Sequence, residues 1–298
     1  MTDYGRPLEF GFFPSPVADD HLSIVEQVRI ADDAGLELIG IQDHPYQRRF
    51  LDSFSLISDL AARTRRVRFF PDVANLPLRP PALLAKAAAS IDRLSGGRFE
   101  LGLGAGAFWQ AIEAMGGPRR SAADAVESLA EAIEVIRLMW SGERGLRFEG
   151  RHYRLGGVHS GPVPAHDIGI WIGAKGPRML ALTGRLADGW IPSSPMAPPA
   201  RLLELHEHID LAARAAGRLP RDIRRIYNVS GIITGGSRTG HLHGPASYWI
   251  EELSRLAIDL GMDAFVFWPA EEPTAQLRRF AEEVAPAVRA RVDAERGN

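Results

Sequence analysis

The feature that most constrains this chain is an alternation repeated eight times. A short run of β-branched or aromatic residues is followed by a longer stretch with helical apolar spacing. Residues 8–13 read as the first strand, and residues 21–34 place Leu22, Val25, Val28, Ile30 and Ala31 at helical intervals before Gly35 stops the helix. Further strands are expected at 36–42, 67–73, 98–104, 168–173, 189–192, 223–233 and 263–268. Helices are expected at 53–63, with Ser53 as its cap, at 80–94, opened by Pro80 and Pro81, and at 121–140, 177–187, 199–216, 246–260 and 274–291. Such alternation favours a parallel α/β sheet with helical crossovers, and eight units in 298 residues fit a closed (β/α)8 TIM barrel. The rhythm breaks once, over residues 142–167, where Gly142 to Gly157 reads as a hairpin with Gly150 at its turn, inserted between strands four and five. A doubly wound open sheet would show a glycine-rich turn after its first strand, where this chain has PSPVADD. The whole of 1–298 is read as one barrel domain with that insertion.

Composition narrows the partners. The formal net charge is -2, which argues against nucleic acid or an anionic membrane as the main partner. With no cysteine in the chain, disulfides, thiolate zinc sites and cysteine nucleophiles are excluded. No apolar run approaches the ~20 residues that span a bilayer, and the N-terminal residues do not read as a secretory signal. A cytoplasmic protein acting on a small-molecule substrate is the expectation.

Barrels of this kind carry their chemistry at the C-terminal strand ends. Those ends are rich in aromatics and glycine and poor in carboxylates, which suits a flat aromatic ligand better than a sugar or a metal. No metal site is expected. A metal-dependent barrel hydrolase would carry HxH on its first strand, which here reads EFGFF. His241 and His243 lack a partner cluster, and His206 and His208, on different faces of one helix, are expected to face solvent. In GAKGPRML (173–180) a strand ends in glycine, a lysine follows, and Gly-Pro opens a helix; free amides and the helix dipole there favour an anion, unless the pair simply makes a tight turn. GLGAGAF (102–108) has no full dinucleotide fingerprint, and in a barrel its glycines are expected to let a ring lie against the backbone. Asp43-His44 at the second strand end is a candidate proton-transfer or hydrogen-bonding pair. Phe12, Phe13, Trp109 and Trp268 are candidate pocket walls, with barrel-end packing as the alternative for each.

Taken together, GIQDHPY (40–46), LPLRPPALLAKAAASIDRLSGGRFELGLGAG (76–106), EAIEVIRLMWSG (131–142), FEGRHYRL (148–155) and WIGAKGPRMLALTGRLADGWIPS (171–193) resemble the bacterial luciferase-like family of flavin- and deazaflavin-dependent oxidoreductases. The resemblance covers roughly residues 8 to 270 and implies the barrel independently. It implies that Asp43 and His44 border the cofactor ring, with His44 assisting proton or hydride transfer. It implies a non-proline cis peptide between Asp72 and Val73, in a segment with Ala74 and Asn75 set against the ring. Gly104, Ala105 and Gly106 would contact the ring or its side chain, and Gly173, Ala174, Lys175, Gly176 and Pro177 would bind the phosphate. One departure stands out: sugar-phosphate dehydrogenases of the family carry a glutamate acid where Ala107 stands.

The main expectation is an FMN-dependent monooxygenase-type enzyme using reduced flavin and oxygen, with a separate flavin reductase as a possible partner. The absent glutamate is the reason for placing FMN first. The alternatives are hydride transfer with the deazaflavin coenzyme F420, and a flavin-binding protein without catalysis. The resemblance also implies a homodimer, for which residues 53–63 and 82–94 offer apolar faces.

Overall fold

The computed structural model describes residues 3–297. Its strands are, in order, β1 (Glu9–Phe12), β2 (Leu38–Ile41), β3 (Arg68–Pro71), β4 (Ala74–Asn75), β5 (Leu101–Gly104), β6 (Leu146–Glu149), β7 (Arg154–Val158), β8 (Ile170–Ile172), β9 (Gly189–Trp190), β10 (Arg224–Thr234), β11 (His243–Pro245) and β12 (Ala264–Pro269). The helices are α1 (His21–Asp33), α2 (Ser53–Ala62), α3 (Pro81–Ser95), α4 (Trp109–Ala114), α5 (Ala122–Trp140), α6 (Pro177–Leu186), α7 (Leu202–Ala215), α8 (Ala246–Ile258), α9 (Pro273–Arg279) and α10 (Ala285–Arg296).

Parallel pairing runs β3-β2-β1-β12-β10-β9-β8-β5-β4. The ring closes because β3 and β4 are two halves of one arm: Ala74 pairs with Leu103, and Phe69 bridges to Phe99 lower down. Eight parallel arms therefore form the expected TIM barrel. The insertion folds as an antiparallel hairpin, β6 against β7.

Side chains alternate across a strand, so every second residue enters the barrel. At the N-terminal end the inward residues are charged and paired: Arg68 donates to Glu9 and Glu100, both at 2.6 Å, while Arg224 meets Glu9 and, at 3.1 Å, Asp263. Above them Phe13, Leu38, Phe70, Trp171, Ile191, Ile226, Ala264 and Val266 form an apolar cluster, with Phe70 edge-on to Trp171 at 5.1 Å. The larger core lies outside, between strands and helices. The apolar faces of α2 and α3 pack into it through Phe54, Leu56, Ile57, Leu84, Ala85 and Ala88, leaving Leu83 and Leu94 exposed.

Three local expectations are corrected. Ser53 does not cap α2: Asp52 does, accepting from the Ser55 amide, because the Ser53 hydroxyl is turned inward to Asp43. His206 is not in solvent: it is buried between Tyr4 and Trp190, and its Nδ1 accepts from Arg225 Nε at 3.0 Å. The last helix is unbroken but not α throughout. Pro286 cannot donate to the Glu282 carbonyl, and just upstream the chain widens into a π-type turn over Phe280–Val284 before α10 continues to Arg296.

Candidate functional site

A cavity of about 410 Å³ opens over the C-terminal ends of the strands. Asp43, His44 and Tyr46 reach it from the segment after β2. Asp72, Val73, Ala74 and Asn75 reach it from the β3–β4 arm, whose Asp72–Val73 peptide is cis. Gly104, Ala105, Gly106, Ala107 and Phe108 follow β5. Gly173, Ala174, Lys175 and Gly176 follow β8, with Met179 one turn into α6. Ile191, Pro192, Ser193, Met196 and Ala197 follow β9.

Asp43 is buried and fully committed. Its Oδ1 accepts from Ser53 Oγ at 2.8 Å and from an Arg79 terminal nitrogen at 2.7 Å, and its Oδ2 accepts from the Asn75 amide at 2.8 Å and Arg79 Nε at 2.7 Å. A carboxylate with four donors on it orients groups rather than moving protons. Arg79 also bridges to Asp52 at 2.5 Å and lies over the Phe54 ring. Burial works against the arginine's charge, yet its bonds to Asp43 and Asp52 prevail and hold its pKa above the ordinary value. This clamp ties the segment after β2 to the start of α3 and to the floor of the cavity.

His44, next in sequence, has a different environment. Its ring stacks on Tyr46 at 5.4 Å and meets the edge of Phe108 at 5.5 Å. Partial burial lowers its pKa and the nearby Asp43 charge only partly compensates, which favours the neutral imidazole. Burial pushes Tyr46 up to about 12, with Asp43 adding to the shift. Phe108 and Met196 are exposed at the rim, so the mouth is apolar.

At the β8 side, Trp190 Nε1 donates to the Ala174 carbonyl at 2.9 Å and pins the turn before α6. Lys175 is exposed and has no ion-pair partner among the described residues. Gly176 caps α6 with no side-chain bond, and Pro177 follows, which leaves the Arg178 and Met179 amides at the helix start. An unpaired ammonium beside free helix amides fits an anion.

Asp72 enters the top inward layer of the barrel, beneath the cavity. Its Oδ2 is buried and unpartnered, 3.0 Å from where a side chain on Gly40 would begin. Burial pushes this carboxyl up to about 7, against the weaker effect of the Asn228 amide. Asn228 donates in turn to Ser193 Oγ at 3.2 Å.

Five anticipated residues lie elsewhere. Phe12 points outward into the helix-facing core, as strand alternation requires. Phe13 points into the barrel with its ring tilted against Trp268 at 5.1 Å, and neither of the two is on the cavity lining. Trp109 packs its ring under Gly106, and Pro177 sits at the start of α6. Residues that sequence reasoning did not assign to the site include Arg79, Tyr46, Phe108, Met179, Met196 and Asn228, with Ile191, Pro192, Ser193 and Ala197 after β9. Tyr46 and Phe108 do lie at strand ends, but Arg79 and Asn228 become relevant only through contacts 36 residues away and across the barrel. Away from the cavity lining, Asp124, Glu127 and His152 come within metal-ligating range of one another. Arg151 already pairs with both carboxylates, at 3.0 and 2.7 Å.

Comparison with known proteins agrees with this architecture. The chain is 33% identical over 191 residues to 5,10-methylenetetrahydromethanopterin reductase of Archaeoglobus fulgidus, covering 64% of this chain and 54% of that protein. It is 29% identical over 236 residues to the F420-dependent glucose-6-phosphate dehydrogenase of Kineococcus radiotolerans, covering 75% and 69% respectively. The chain thus spans between about half and seven-tenths of these relatives' lengths. A solved F420-dependent secondary alcohol dehydrogenase, in complex with an F420-acetone adduct, superposes with a TM-score of 0.85 at 17% identity, over 95% of this chain and 99% of that one. The model of the luciferase-like monooxygenase family matches residues 11–237, and the chain belongs to that family.

Proposed function

We propose that the cavity binds the deazaflavin coenzyme F420 and that the protein is an oxidoreductase transferring hydride between that coenzyme and a small organic substrate. The observation that carries this reading is the sequence likeness to a methylenetetrahydromethanopterin reductase and an F420-dependent dehydrogenase. It supports hydride transfer better than the FMN oxygenation expected from the sequence. The residues present fit such a group: Lys175 and the α6 amides would hold its phosphate, and the segment Gly104–Ala105 on the cavity lining would face its ring. When bound, the coenzyme supplies hydride chemistry of its own. The chain contributes orientation, a neutral imidazole at His44, and an apolar rim from Phe108 and Met196 that limits water.

The second reading is FMN-dependent oxygenation, favoured by Ala107 in place of an acid and by the family's description as monooxygenases. Titration of the purified chain with each coenzyme, followed by absorbance and fluorescence, separates the two. F420 is expected to bind and FMN not to. Lys175→Ala is expected to weaken F420 by roughly tenfold, about 1.4 kcal/mol, through loss of one charge contact. Binding of FMN alone, with oxygen consumed in the presence of reduced flavin, overturns the first reading.

A further inference from the structure

Hydride transfer to a carbonyl leaves an oxygen that must receive a proton, and the cavity has few groups able to give one. Asp43 is taken up by its partners: both its oxygens accept from Arg79, Ser53 or the Asn75 amide. Tyr46 holds its proton up to about 12. Burial lowers the His44 pKa and so disfavours the imidazolium that would be its donor form. Lys175 stands at the anion corner, where its charge is engaged if a phosphate binds. The position after β5 that could have carried an acid is Ala107. Asp72 remains.

The barrel makes room for it. Gly40 on β2 has no side chain, and a Cβ there would fall 3.0 Å from Asp72 Oδ2 and 2.9 Å from the Phe70 ring. Phe70 on β3 closes one side, the Asn228 amide on β10 lies on another, and Val73 continues the arm. No charged group contributes to its surroundings: Asp43 and His44 lie beyond β2, and Arg79 is neutralised by Asp43 and Asp52. An unpartnered, buried carboxyl oxygen with no cation beside it favours the protonated acid. Asp72 thus lines the cavity with one buried oxygen unpartnered and only the Asn228 amide beside the carboxyl, a setting that holds a proton rather than an ion pair.

We propose that Asp72 is the proton donor of this cavity. The inference rests on the hydride-transfer reading. In the reducing direction the bound coenzyme would supply the hydride that becomes the new C–H bond, and the π pair of the C=O would move onto oxygen. The proton on Asp72 passes to that oxygen. The products are the alcohol, oxidised coenzyme and an Asp72 carboxylate that is reprotonated from solvent. In the oxidising direction the carboxylate takes the hydroxyl proton as hydride leaves carbon.

The test compares wild type with Asp72→Asn, a near-isosteric change, and with His44→Asn. With the carboxyl poised near pH 7, carbonyl reduction by the wild type is expected to slow as pH rises through that value, and alcohol oxidation to slow as pH falls through it. Asp72→Asn is expected to lower kcat by about 10²-fold or more, leave F420 affinity unchanged and abolish that pH limb, while His44→Asn keeps the limb. A readout independent of turnover is infrared difference spectroscopy of the ligand-free protein on either side of pH 7. A protonated carboxyl band is expected in wild type and absent in Asp72→Asn. Lack of that band below pH 7, a limb that disappears in His44→Asn instead, or full activity of Asp72→Asn each overturns the assignment while F420 chemistry stands. If wild type binds no F420, the hydride-transfer reading falls first and takes the donor role with it.

Discussion

Asp43 and Asp72 are both inward carboxyls of one cavity, and their surroundings make them opposites. Asp43 has a guanidinium, a hydroxyl and an amide on it; Asp72 has an amide at most. The pair of adjacent residues Asp43-His44 is visible in the sequence as a strand-end feature, but the division of labour is not. It depends on Arg79, which sequence reasoning could only read as a residue before Pro80 and the start of a helix. It also depends on Ser53, whose expected capping role goes to Asp52. Removing Arg79 leaves a carboxylate with 1% side-chain exposure in want of its cation. Breaking a buried pair in this way typically costs 3–5 kcal/mol, so Arg79→Met is expected to lower unfolding free energy by about 3 kcal/mol in urea. The further change Asp43→Asn in that background is expected to recover part of the loss, since it removes the stranded charge. If the double variant is no more stable than Arg79→Met alone, the clamp is not electrostatic in origin.

The alternating pattern was sufficient to place every barrel strand, because each is bounded by turn residues and its helix repeats at 3.6. What the pattern could not show is that the third arm is split into β3 and β4, or why strand β5 needs its glycines. Gly102 was expected to leave space for a ligand ring; in the structure the space is taken by the protein. A Cβ on Gly102 would lie 2.0 Å from the Pro71 carbonyl oxygen, and one on Gly104 would lie 2.6 Å from a Val73 methyl. The bare backbone of β5 thus lets the β3–β4 arm press inward and present Asp72, Val73 and Ala74 to the cavity. Gly102→Ala must push backbone against backbone and is expected to destabilise the protein by at least 1–3 kcal/mol and to weaken coenzyme binding. Gly176, before α6, has open space around its Cβ position and a φ of -91°, so Gly176→Ala is expected to change stability by less than about 0.5 kcal/mol. Equal stability of the two variants by thermal or urea unfolding would mean that the arm has slack to move.

At the scale of the whole molecule, the insertion is held to the barrel by carboxylates that sequence spacing could not pair. Glu131 on α5 accepts from three consecutive amides at the hairpin turn, Arg151, His152 and Tyr153, at 2.8, 2.9 and 3.0 Å. Asp92 on α3 accepts from the Ala165 and His166 amides and from His166 Nδ1, the last at 2.7 Å. Glu100, just before β5, stands 3.6 Å from His166 Nε2. Glu100 and Asp92 together raise the His166 pKa despite its partial burial. A histidine whose pKa is higher folded than unfolded stabilises the protein fully at pH below about 6.5, and that contribution is lost as pH rises through the folded value. The return of the insertion to β8 is therefore expected to loosen toward alkaline pH. His166→Gln is expected to be less stable than wild type by about 1 kcal/mol near pH 6, the exposure of the ring limiting the effect, with the gap closing as pH increases. Limited proteolysis within 142–167 is expected to follow the same course, faster for the variant at pH 6 and equal for both proteins at alkaline pH. A stability gap that stays constant across that range would show that His166 holds the insertion by shape and neutral hydrogen bonding, with its charge playing no part.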